Sequence, residues 1–164
     1  MSKSTKTTSF GSMDVARLVG IQPALINKFI ERHQYGIAAS VQTGERGKER
    51  RFGEQDVYGI ALVYWLFESG LRSDSIQFVL NQICDRHLDS KANDAAAKLL
   101  GRKAEVLVIS RQPRTSYAKH PEQTTQLCDM GQTVQIVRAA STKSVLIIPV
   151  GNQFASMRKT MGEN

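Results

Sequence analysis

The 164-residue chain has little of what marks several common classes of protein. Its two cysteines, at positions 84 and 128, are too few for the disulfide framework on which small secreted domains depend, and reduced thiols are expected. No apolar run approaches the roughly 20 residues of a membrane-spanning helix, and no secretory leader is read at the start, so the expectation is a cytoplasmic protein with no membrane partner. There is no phosphate-cradling glycine loop after a predicted strand, no well-placed carboxylate pair and no ordered Ser, His and Asp set. Those absences argue against an enzyme, and no cofactor is implied.

Negative charge is also the scarcer sign. Fifteen Asp and Glu stand against 22 Lys and Arg, a formal net charge of +7, and the excess is unevenly placed. Residues 1–52 carry nine basic against four acidic groups, residues 53–101 carry four against seven, and residues 102–164 again carry nine against four. A basic head and tail around an acidic middle is a pattern that nucleic acid often explains, although a solvated face can carry it too. With 41% hydrophobic residues, a chain of this length buries about 70% of its unfolded surface and needs no staples.

Residues 1–11 are rich in Ser, Thr and Lys and are expected to form a flexible tail. Ser12 is placed to cap a short helix carrying Met13, Val15, Ala16 and Val19 and closed by Gly20. Pro23 suits the first position of a second helix, with Leu25, Ile26, Phe29 and Ile30 as its buried stripe and Ala24, Asn27, Lys28 and Glu31 outside. Glycines at 36, 44 and 47 break any helical period, and residues 37–41 and 50–52 are expected to pair as a wing-like hairpin. From Glu54 a helix apolar around most of its circumference must be central. Gly70 ends it. Ser73 then caps a helix whose Ile76, Val79, Leu80, Ile83 and Leu88 form one stripe, and a short helix over 90–100 stops at Gly101. The last third reads as strands at AEVLVIS, TVQIVRA and SVLIIPVG, with a helix expected between Pro121 and Gly131 and another over 153–161. The chain is read as free of internal repeats.

Two crossing helices need a small residue at their approach, a turn residue tolerant of positive φ and branched apolar glue; Ala16, Gly20 and Ile26 stand at those places. The second helix would then present Gln22, Asn27 and Lys28 to a major groove. On these residues the chain resembles the MerR family of bacterial transcription regulators over about 65 positions. MDVARLVGIQPALINKF resembles its first two helices, ERRFGEQDV its wing end and LFESGLRSDSI the junction that follows. Where the family carries an Arg-Tyr pair on the second helix, this chain has Asn27 and Lys28. The resemblance implies a double-stranded DNA partner, a bacterial nucleoid setting and Arg50 and Arg51 on a wing anchored by Phe52.

The expectation is therefore an α+β protein with a winged helix-turn-helix over 12–88, a helical linker over 89–103 and a small mixed α/β unit over 104–164, dimerising or regulatory. It is expected to bind a specific DNA sequence as a homodimer, through the Ile76–Leu88 stripe or the C-terminal unit, and to regulate transcription. Gln22, Asn27 and Lys28 read or position the groove, and Arg46, Lys48, Arg50 and Arg51 clamp phosphates. A small-molecule or protein effector is left open. The alternative is a protein-interaction adaptor using the same fold with weak DNA contact or none. Cys84 and His87 form a single C-x-x-H pair on a predicted helix and His120 with Cys128 has irregular spacing for completing a tetrahedral zinc site, so the thiols are read as small hydrophobes and no metal is expected.

Overall fold

A computed structural model describes residues 9–31, 35, 37, 50–85, 91–102, 105–111, 123–128, 132, 133, 135 and 144–162. In chain order the elements are β1 (Ser9–Gly11), α1 (Ser12–Val19), α2 (Pro23–Glu31), β2 (Arg51–Gly53), α3 (Glu54–Glu68), α4 (Ser73–Cys84), α5 (Ala92–Gly101), β3 (Val106–Arg111), β4 (Gln123–Cys128), β5 (Ser144–Ile148) and α6 (Val150–Met161). Two antiparallel sheets, β1-β2 and β4-β3-β5, make the fold α+β.

A short repeat, missed in the sequence reading, builds the first half. Phe-Gly-x-x-Asp-Val occurs at 10–15 and again at 52–57. In both copies the glycine is an extended N-cap and the aspartate, at the third helical position, accepts its N–H: Gly11 to Asp14 Oδ2 at 3.0 Å and Gly53 to Asp56 Oδ2 at 2.8 Å. Each carboxylate also lies at the positive end of its helix. The valine that follows is fully buried in both cases. The two strands pair antiparallel with Phe10 opposite Phe52, the same residue of each copy at the centre of the ribbon. Ser9–Gly11 is therefore a strand where a tail was expected, and Gly11 takes the cap position expected of Ser12. The described partner of the arginine-bearing strand is β1 in place of residues 37–41, of which Ile37 is buried and the rest lie outside the described residues.

α1 ends as expected at Gly20, whose φ of +78° lets the N–H groups of Gly20 and Ile21 both reach the Ala16 carbonyl. Pro23 opens α2, which buries Ile26 and Phe29 against α1 and exposes Ala24, Asn27, Lys28 and Glu31. α3 is central: every residue from Asp56 to Val63 is buried. It closes with Gly70 at φ +79° and with the N–H of Leu71 on the Leu66 carbonyl. Buried Tyr35 joins three elements, meeting Phe29 edge-on at 5.8 Å, donating its hydroxyl to Ser73 Oγ at 3.2 Å and accepting the Ala92 N–H. α4 begins at Ser73, but the N-cap position belongs to Arg72. Gly101 is within the last turn of α5, and Arg102 follows as its cap.

The α4 stripe does not form a free dimer face. Ile76, Val79, Leu80 and Ile83 are buried in the chain's own core, where α3, α5 and β4 cover them; Leu88 lies outside the described residues. Further corrections fall in the last third. QTTQLC is strand β4 in place of a helix between 121 and 131, because β-branched Thr124 and Thr125 suit a ladder and β3 offers a full edge, pairing Val106 with Cys128 through Arg111 with Gln123. Thr133 and Gln135 are helical where a strand was expected. β5 stops before Pro149, and α6 starts at once.

On the central strand, Leu107 and Ile109, with Leu146 and Ile148 of β5, face the helices, whereas Val106, Val108 and Val145 group on the other side. Phe154 of α6 is buried against Tyr58 at 5.4 Å and Trp65 at 5.0 Å, both on α3. The core is thus continuous across the boundary expected near residue 103.

Candidate nucleic-acid interface

Burial of one side of α2 decides what its other side shows. Ile26 and Phe29 are locked into the core, with Phe29 edge-on to Tyr35 and to Phe67 at 6.1 Å, so the helix cannot rotate without opening that cluster. Asn27 and Lys28, between the two anchors, are held in solvent, and Gln22 is exposed just before Pro23.

Strand β2 arrives from the other direction. Phe52 is fully buried and paired opposite Phe10, and the period of two along a strand turns its neighbour Arg51 outward. Arg50, half-buried, donates from Nη1 to Asn27 Oδ1 at 3.1 Å. That contact spans 23 residues of chain and brings α2 together with the residue that leads into β2. Of the expected site residues, the structure places Gln22, Asn27, Lys28 and Arg51 in solvent and joins Asn27 to Arg50. Arg46 and Lys48 lie outside the described residues.

One exposed cation, Arg17, was not singled out from the sequence, whereas the exposure of Glu31 was expected. Arg17 is exposed in the last turn of α1, a position its buried neighbours Val15, Ala16 and Val19 already implied. Glu31, exposed one turn after Asn27 and Lys28, sets a negative charge at the end of the same helix face.

Among the described residues no three His, Cys, Asp or Glu side chains come close enough to hold a metal ion. Cys84 is half-buried, and His87 and His120 lie outside the described residues. Buried Asp56 accepts Asn93 Nδ2 at 2.6 Å as well as the Gly53 N–H and serves to join α3 to α5. No described helix is long and apolar enough to cross a membrane. No protein-family model and no curated protein matches this sequence.

Proposed function

We propose that the chain is a sequence-specific double-stranded DNA-binding protein that regulates transcription in the manner of the MerR-like winged helix-turn-helix its sequence resembles. The observation that carries the reading is the hydrogen bond from Arg50 to Asn27, which supports a single face made of α2 and the end of β2. Its rigidity rests on Phe29 and Phe52, one anchoring each element in the core. α2 supplies Gln22, Asn27 and Lys28 to the major groove, and Lys28 and Arg51, with Arg46 and Lys48 from the sequence just before β2, neutralise phosphates. A single module of this size makes a small interface, so the protein acts as a homodimer on a repeated or palindromic site. The buried α4 stripe leaves other surfaces to make that contact.

Salt tests the reading. With four cations per copy each neutralising one phosphate, the logarithm of affinity falls against the logarithm of salt with a slope of about −7 for a dimer and about −4 for one copy. Fluorescence anisotropy with labelled duplexes measures it. Arg51→Ala weakens binding to every sequence and flattens the dimer slope by about 2. A chain that binds no duplex, or binds with no salt dependence, would be the adaptor, and the regulatory reading would fail.

A further inference from the structure

The hydrogen bond that joins α2 to β2 also fixes which end of the Asn27 amide is available. A guanidinium carries N–H donors and no acceptor, so the atom of Asn27 that faces Arg50 at 3.1 Å is the carbonyl oxygen. The NH2 end of the amide is the end not turned to Arg50, on a side chain that α2 holds in solvent. Together the two residues offer a row of donors: the Asn27 NH2 and the remaining N–H groups of Arg50.

The major groove offers four different partners to such a row. Adenine shows an acceptor, N7, beside a donor, the N6 amino group. An unconstrained asparagine matches it by donating to one and accepting from the other. The Asn27 oxygen keeps a second lone pair, but an N6 amino group brought to it would lie against the donors and positive charge of the guanidinium that already occupies the first. Cytosine also shows a donor, and thymine one acceptor beside a methyl group. Guanine shows two adjacent acceptors, N7 and O6, and no donor.

Building on the DNA-binding reading above, we infer that Arg50 turns Asn27 into a guanine reader, the two side chains together donating to N7 and O6. Arg50 is the positioning residue in this pair as well as a donor to the base. It sets the orientation of an amide that would otherwise prefer adenine.

Selection of bound duplexes from a random pool by the full chain, followed by affinity measurements on the selected site, tests this. Wild type selects guanine at one fixed position, and Asn27→Ala loses the preference there. Exchanging that guanine for adenine weakens wild-type binding by about 5- to 150-fold, the span of one good bidentate contact. 7-Deazaguanine, which lacks the N7 acceptor, weakens it as well. In Arg50→Ala the guanine preference is lost or moves to adenine, because the amide oxygen is released. Both side chains lie at the surface, and matching thermal melts of the variants and wild type check that the fold is kept. Adenine as the wild-type choice, or a guanine preference that survives Arg50→Ala, overturns the inference while DNA binding itself stands. Failure to enrich any duplex, with no salt-dependent binding, removes the DNA-binding reading and this inference together.

Discussion

Replacing Gly59 by alanine should reverse the usual sign of that substitution. In an open helix interior, alanine is better than glycine by about 1 kcal/mol. At Gly59, in the middle of α3, a Cβ would lie 2.3 Å from Asn93 Oδ1, 2.9 Å from Asn93 N and 3.1 Å from the Ala92 carbonyl carbon. The amide side chain can swing away only by giving up its 2.6 Å bond to Asp56, worth about 1.5–3 kcal/mol for a hydrogen bond to a charged group. The backbone atoms cannot swing; the first turn of α5 must retreat, an overpacking cost of about 1–3 kcal/mol. Set against the propensity gain, the net loss is roughly 1.5–5 kcal/mol, or about 3–20 °C in melting temperature for a chain of this size. Urea denaturation and thermal melting measure it. Gly101→Ala is the control: Gly101 is in the last turn of α5 with no atom within 4 Å of its would-be Cβ, so the same change there gains about 0.4–1 kcal/mol. If Gly59→Ala proves as stable as wild type, the close α3–α5 approach is wrong.

Phe154→Ala should cost about 3–5 kcal/mol and shift the emission of Trp65, the sole tryptophan, to the red as water reaches its exposed face; unchanged fluorescence would place α6 elsewhere. The Asp85 carboxyl is held below its ordinary value by the hydrogen bond from Lys98, then by the Lys98 charge and, to a lesser extent, by Arg102 at 3.5 Å. A depressed folded-state pKa stabilises the fold above the ordinary aspartate value, and that stabilisation disappears as pH falls through the depressed one. Denaturation curves of Asp85→Asn and wild type should therefore differ slightly at neutral pH and low salt and converge in strong acid; a gap that widens in acid would contradict the pairing. Glu31→Gln, which removes the acidic group at the end of the α2 face, should strengthen binding to all duplexes by about 2- to 5-fold at low salt, as anisotropy titrations would show, with less gain at high salt.

The parts legible in the sequence were those governed by neighbours along the chain. Gly20, Pro23 and Gly70 mark their helix ends through φ alone, and the spacing of Ile26 and Phe29 was enough to place Asn27 and Lys28 outside. What escaped depended on distant partners. Ser9–Gly11 looks like tail because three residues carry no period, and only Phe52, 42 positions beyond Phe10, makes them a strand. QTTQLC sits between a proline and a glycine that suit a helix, but an open edge of β3 decided otherwise. The α4 stripe was visible, yet amphipathic spacing says only that something covers it. Here that is the chain's own α5 and β4. Within the site, exposure could be read residue by residue, but the meeting of Asn27 with Arg50 could not, since it is set by how the β1-β2 ribbon is hung beside α2.

The pairing of Phe10 with Phe52 and the seat of Phe154 on Tyr58 and Trp65 have a consequence during synthesis. α1 and α2 leave the ribosome well before β2 exists, and when β2 does emerge, the aromatic flank of α3 still waits for a helix about 100 residues downstream. A message broken anywhere in between yields a nascent product with bare tyrosine and tryptophan rings, a substrate for chaperones and proteases.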